Sequence, residues 1–154
     1  MDDLLLVSTM TLATQGPEGP HAAPVYFAAQ PSSGLKALLA QGGAGLRLYF
    51  FSDPESLHGR QLAANPQAAA AIYPAAEGWQ DIRGLQIRGQ VLRLPPGPDW
   101  ESAWQCYQAK FPFVTVLKQA VAINAMYAFI PTWLRLVDNA RGLGFRQEWK
   151  LQTP

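Results

Sequence analysis

One stretch constrains this chain more than any other: Leu48–Tyr73, LYFFSDPESLHGRQLAANPQAAAAIY. Leu48, Tyr49, Phe50 and Phe51 form a short aromatic-rich run that favours a strand. Ser52-Asp53-Pro54-Glu55-Ser56 then opens a helix. Asp53 suits the N-cap, because its carboxylate can accept from free N–H groups of the first turn. Pro54 suits the first helical position, where no N–H is needed. The helix is expected to stop near Asn65, because a residue before proline is pushed out of the helical region. Ala68–Tyr73 is a second apolar run made largely of small residues.

The start of that helix is a candidate site. Free N–H groups and the positive end of a helix dipole favour an anion. Ser52 and Ser56 add hydroxyls, and His58 and Arg60 add potential positive charge. Ser56 and Arg60 stand one turn apart and share a face. Two readings fit this pattern: a phosphate cradle, or an ordinary capped helix with solvated polar residues. Asp53 and Glu55 favour the second, since they put negative charge where a phosphate would lie.

The rest of the chain alternates strands with turns. Leu4–Thr14 reads as a strand, Gly16-Pro17-Glu18-Gly19-Pro20 as a turn, and His21–Ala29 as the returning strand. Pro24 cannot donate to a ladder, so it marks an edge, a bulge or a place where something approaches the backbone. Residues 35–45 form an insertion that reads either as a short packed helix or as a flap. Ile82–Leu94 reads as a long curved strand, with bends at Gly84 and Gly89 and a change of apolar phase at Leu92. Asp99 is the expected cap of a helix running from Trp100 to about Lys110, with Trp100, Ala103, Trp104 and Tyr107 on one buried face. Residues 113–122 are a candidate short helix. Met126–Ile130 and Trp133–Val137 read as strands interrupted by Pro131, and Leu143–Leu151 as the closing strand. The order β-β-β-α-β-β-α-β-β has no βαβ rhythm. It indicates a mainly β chain with short helices, a closed or nearly closed antiparallel barrel with helices plugging its ends.

Composition narrows the function. At 154 residues the chain is expected to be a single domain spanning 1–154. Charged residues are only 15% against 49% hydrophobic, so a partner or second copy is expected to cover apolar surface. A formal charge of +1 offers no field for nucleic acid or an anionic membrane. The single cysteine, Cys106, excludes an internal disulfide and a cysteine-based zinc site, and reads as helix packing. Met1–Met10 lacks a basic leader pattern, and no apolar run reaches the ~18 residues of a membrane span; a cytoplasmic location is expected. Phosphate-loop, dinucleotide and Ser-His-Asp patterns are absent. His21 and His58 lie on separate segments, so no metal site is expected.

MTLAT-x5-PHAAPVYF, LYFFSDPESLHGRQLAANPQAAAAIY and IRGLQIRGQV occur here in that order. Together they resemble the FMN-binding split-barrel family related to pyridoxamine 5′-phosphate oxidase; KFP and LVDNARGLGFRQEWKL resemble its small uncharacterised branch. The resemblance implies a six-stranded Greek-key split barrel and a homodimer with FMN at the subunit interface. It implies flavin along Ala22–Phe27, with Ala23, Pro24, Val25 and Tyr26 at the ring. It places the phosphate by Phe51, Ser52, Ser56, Leu57 and His58, with Arg60 as a possible compensating cation. The oxidase pattern has an Arg-Lys pair where this chain has Leu57 and His58. A ring-contacting glutamine aligns with Gly84, and Gln86 stands two residues on, on the same strand face. Val25 or Tyr26 is the candidate N–H donor to flavin N5, and Arg83 or Arg88 the candidate cation near N1. The C-terminal Trp and Arg of the oxidase have no clean match, although Trp149 is near. These departures argue against pyridoxamine phosphate oxidation in particular. The implied activity is an FMN-dependent oxidoreductase acting on a small molecule, with no assignable general acid or base. The alternative is a non-catalytic split barrel carrying flavin, a deazaflavin or haem, with His21 or His58 as the haem ligand.

Overall fold

The Pro17-Glu18 turn folds the chain back on itself, and the sheet grows from that hairpin. In the computed structural model, which describes residues 1–117, 121 and 123–152, β1 (Thr9–Gly16) and β2 (Gly19–Tyr26) pair antiparallel from Thr9↔Tyr26 to Gly16↔Gly19. Gly19 has φ 98°, a left-handed conformation that glycine adopts without a Cβ penalty. The other strands are β3 (Ala28–Gln30), β4 (Arg47–Ser52), β5 (Gln67–Ile72), β6 (Arg83–Arg93), β7 (Ala125–Asp138) and β8 (Arg146–Lys150). Their order is β2-β1-β5-β6-β7-β4-β3, with β8 paired to β7. Only Phe27 separates β2 from β3, and its N–H donates to the Ser8 carbonyl at 3.1 Å. One bent segment therefore ends the sheet on both sides and curls it into a half-barrel.

This is the expected antiparallel split barrel, with eight strands where the resemblance implied six. The segment read as one strand, His21–Ala29, divides at Phe27, and β8 adds a strand beside β7. β2 pairs only with β1, so Pro24 does stand on an edge strand. The core lies on the concave side. Met10, Leu12, Phe27, Leu48, Phe50, Ile72, Leu85, Ile87 and Phe129 are fully buried there. Removing a side chain such as Leu12 would cost about 2–5 kcal/mol, from lost burial plus the cavity left behind.

Beside the sheet lie α1 (Asp2–Leu5), α2 (Leu35–Ala40), α3 (Leu57–Ala64) and α4 (Pro98–Lys110). Residues 4 and 5 are helical rather than strand, and they turn Leu4 and Leu5 into the core. The first part of the insertion, Leu35–Ala40, is a short helix, and the rest is a turn through Gly42, Gly43 and Gly45. The Asp2 carboxylate accepts from Gly34 N at 2.8 Å and from Leu35 N at 3.0 Å, which caps α2. α4 starts one residue before Asp99, at Pro98, with Gly97 as its N-cap; proline suits that position because it has no N–H to satisfy. Nor does α4 plug a barrel end. It lies on the convex side, where Ala103, Tyr107 and Phe111 pack on Ala28, Tyr49, Met126 and Ala128. A 3-10 turn, Pro112–Val116, begins the expected 113–122 helix, part of which lies outside the described residues.

Pro131 does not interrupt the sheet. β7 runs through it, because the register shifts from Arg88↔Trp133 to Gly89↔Pro131 and leaves Thr132 as the extra residue of a bulge. The approach is close: a Cβ on Gly89 would lie 2.1 Å from the Ile130 carbonyl oxygen. The bulge also marks where β7 changes neighbours, from β4 through Phe129 to β8 from Trp133 onward. The apolar phase change read at Leu92 is not a reversal of β6. Val91 remains inward, and Leu92 faces outward opposite Ala128, beside the surface that α4 covers. Among the described residues no helix is long and apolar enough to cross a membrane.

Candidate functional site

The local chain sets the start of α3 later than its proline suggests. Asp53 spends its carboxylate on a tight turn, accepting from Glu55 N at 2.8 Å. Its carbonyl accepts from Ser56 N at 3.1 Å and from Ser56 Oγ at 2.6 Å. Ser56, and not Asp53, is the N-cap, accepting from Gly59 N at 3.1 Å. Gly59 permits the fold-back, since a Cβ there would lie 2.5 Å from the Pro54 carbonyl oxygen. Ser56 is thus engaged as both donor and acceptor, and Ser52 stands on the other side of the turn.

Ser52 Oγ is hydrogen-bonded to His58 Nε2, with the direction set by the imidazole tautomer. The His58 ring lies parallel to that of His21, with centroids 6.0 Å apart and 6° between planes. The two histidines, far apart in sequence, meet at one corner of the barrel. Burial lowers the His58 pKa from its ordinary value, the neighbouring His21 lowers it further, and Asp53 opposes both. His58 is therefore more weakly basic than the unperturbed histidine the sequence suggests.

Gln61 holds this corner together. It is buried on α3, accepts from Thr14 Oγ1 at 2.6 Å and donates from Nε2 to the Gly19 carbonyl at 3.2 Å. A Cβ on Gly16 would lie 2.7 Å from Gln61 Cγ. The start of β2 is thereby fastened to α3. Sequence reasoning missed Thr14 and Gln61, and it offered His21 only as an alternative haem ligand, not as the neighbour of His58. The signal for Gln61 was a polar residue one turn after Leu57, facing a glycine-bounded hairpin.

From that corner β2 runs along the convex side, where Ala22, Pro24 and Tyr26 point outward and exposed. Opposite them stand Thr9, Thr11 and Ala13 of β1, and then Ala69 and Ala71 of β5. At the far end of β2 Tyr26 meets Phe111 and Phe113 edge-on, while Ala22 and Pro24 are exposed, with no helix over them among the described residues. The result is a surface of small side chains, bounded by Gln86 and Arg88 of β6. Ala23 and Val25 alternate to the concave side, leaving only their backbone accessible to a molecule on this face.

Other candidate residues lie apart from the corner. Leu57 opens α3 beside it, half-buried. Arg60 turns away, donating to the Glu55 carbonyl. Phe51 packs edge-on against Trp104 and Tyr107, under α4. Gly84 and Gln86 lie on β6, three strands from β2, or about 14 Å at ~4.8 Å per strand. Gln86 Oε1 accepts from Arg135 Nη1 at 3.3 Å. Arg83 pairs with Asp3, and Arg88 lies 4.4 Å over the Trp133 ring. Among the described residues no group of three or more His, Cys, Asp or Glu side chains is placed to hold a metal ion.

The curled sheet, the single segment closing both its ends and the polar corner beside an uncovered face define a split-barrel protein. The chain belongs to the pyridoxamine 5′-phosphate oxidase family, whose profile matches residues 4–130. It is 25% identical over 111 residues to a UPF0306 protein of Photorhabdus laumondii, covering 68% of this chain and 69% of that protein. In fold it is similar to a haem-binding protein from Mycobacterium smegmatis (TM-score 0.70, 18% identity, 97% of this chain). It spans 57% of that longer protein. It is also similar in fold to a FAD-binding protein from Mesorhizobium loti (TM-score 0.61, 16% identity, 85% of this chain and 84% of that one).

Proposed function

We propose that this protein binds FMN between two copies of itself and serves as an oxidoreductase for a small molecule. The observation that carries this reading is the path of β2. It begins beside Ser52, His58 and His21 and continues past the small, exposed Ala22 and Pro24. The chemistry of the donors fits a phosphate held by a hydroxyl and imidazoles. The small side chains of the face fit a planar ring.

When bound, FMN supplies the electron or hydride transfer. The residues of this chain supply position and environment. Ser52 and the two imidazoles would hold the phosphate, and the outward face of Ala22 and Pro24 would support the ring. The second copy would exclude water from the face, which one chain alone does not do. Gln61 keeps the two halves of the site in register.

A visible spectrum of the purified protein tests the reading: flavin bands are expected. A Soret band would favour the alternative, a haem carrier without turnover, which the paired His21 and His58 make chemically reasonable. Sedimentation tests the dimer, and finding only a 16.9 kDa species at micromolar concentration would overturn it.

A further inference from the structure

A second cleft, of about 710 Å³, opens at the opposite end of the barrel from Ser52 and His58, on the concave side of β7 and β8. Its walls come from four places: α1, α2 with Lys36, the end of β7 with Leu136 and Asp138 followed by Arg141, and β8 with Gln147 and Trp149. The size falls within the ~300–1,000 Å³ of small-molecule sites.

The charges around it are unequally satisfied. Asp2 is spent on the α2 backbone, and Asp3 on the Met1 ammonium at 2.9 Å and on Arg83. Lys36 and Arg141 form no ion pair among the described residues. Arg141 lies 4.0 Å over the Phe145 ring, which engages the face of its guanidinium and leaves the N–H edge free. Asp138 Oδ1 is buried with no hydrogen-bond partner. Leaving such an oxygen unpaired is costly, and the Asp χ2 torsion is broad enough to turn it toward a donor in the cleft. Trp149 and Leu136 supply an apolar part of the wall.

We propose that this cleft is a second binding site, for a small amphoteric aromatic molecule. Its carboxylate or phosphate would meet Lys36 and Arg141, its N–H donor would meet Asp138, and its ring would lie on Trp149. The site is independent of flavin: it lies at the other end of the barrel and on the other face of the sheet from β2's outward side chains.

The test uses 4-aminobenzoate as a probe of the class, with benzoate and aniline each lacking one pole. Fragments of this size bind near about 1 mM, so the titration runs to about 20 mM. The readout is the indole N–H resonance of Trp149 in the full-length protein, assigned with Trp149→Phe. Saturable shifts with 4-aminobenzoate are expected, with at least about tenfold weaker binding for either single-pole analogue. Lys36 and Arg141 are exposed, so Lys36→Gln/Arg141→Gln should fold normally, keep its FMN affinity and bind the probe at least about tenfold more weakly. A Trp149 resonance that does not move, or that moves equally in wild type and the double variant, would overturn the proposal whatever the outcome of the FMN titration.

Discussion

The convex side of this sheet is built in two ways. Over β3, β4 and the first half of β7 it is covered by α4, and large side chains, Tyr49, Phe51 and Met126, stand beside the small Ala28 and Ala128 against Trp104, Tyr107 and Phe111. Over most of β2, β1 and β5 no helix covers it among the described residues, and the side chains are small: Ala22, Pro24, Thr11, Ala13, Ala69 and Ala71, with Tyr26 at the far end meeting Phe111 and Phe113. Both regions belong to one sheet with one curvature, so backbone does not explain the difference. The large rings of the convex side are gathered under α4, with Tyr26 at the border of the two regions. A face sealed within the chain is filled to core density, whereas a face of small residues left open leaves room for a flat molecule or a second surface.

The contrast breaks most visibly under α4. Phe111→Ala removes a ring that packs on Tyr26, Tyr107 and Phe113, and should lower unfolding stability by about 3–5 kcal/mol in a denaturant titration. A loss below about 1 kcal/mol would mean that the covered face is not a true core. At the corner between the two regions, Ser52→Ala/Ser56→Ala should weaken FMN binding by about 1–3 kcal/mol. Ser56→Ala alone should also cost about 0.5–2 kcal/mol of stability as a lost N-cap, whereas Ser52→Ala should be nearly neutral for folding. Unchanged FMN affinity in the double variant would remove the phosphate from this corner.

On the open face the effects should separate. Ala22→Phe adds a ring where there is only solvent, so stability should change by less than about 0.5 kcal/mol, while FMN binding should fall by about tenfold or more, ~1.4 kcal/mol. Equal binding would show that the open face is not where the ring lies.

The smallest effect is in pH. In the free protein burial and His21 hold the His58 pKa down, so protonation favours the unfolded chain. Stability from this group is therefore full above the unfolded value near ~6.5 and falls as pH drops from there toward the folded pKa. A bound phosphate reverses the preference and favours the charged imidazole. FMN should therefore bind more tightly at about pH 6 than at about pH 8.5, modestly, because the phosphate's own ionisation near ~6 opposes it. His58→Lys should flatten the dependence above about pH 7. A flat wild-type profile would make His58 a bystander.

Much of the fold was legible because local chemistry and burial agreed. The Gly16–Gly19 turn, the alternation of β6 and the aromatic stripe of α4 each carry their own signal. What misled was local chemistry reused for another purpose. Asp53 and Pro54 look like a helix start, yet Asp53 closes the turn before it, and Ser56 takes the cap. Pro131 looks like a strand break, yet a bulge at Thr132 absorbs it. The strand segments of the candidate site were readable from their small residues and serines. The meeting of His21 with His58 was not, because it depends on a hairpin and a helix being fastened together by Thr14 and Gln61.

The edge of β2 has a consequence for how this molecule joins others. An edge strand normally invites a foreign strand to extend the sheet. Pro20 and Pro24 stand at the same parity on β2, so both remove a donor from the same side, while the register with β1 runs unbroken through all eight pairs. The missing donors therefore belong to the outward edge. Strand-by-strand growth, whether a continuous intermolecular sheet or a fibril, would meet a gap at every fourth residue there. The outward edge of β2 is thereby a poor template for strand addition.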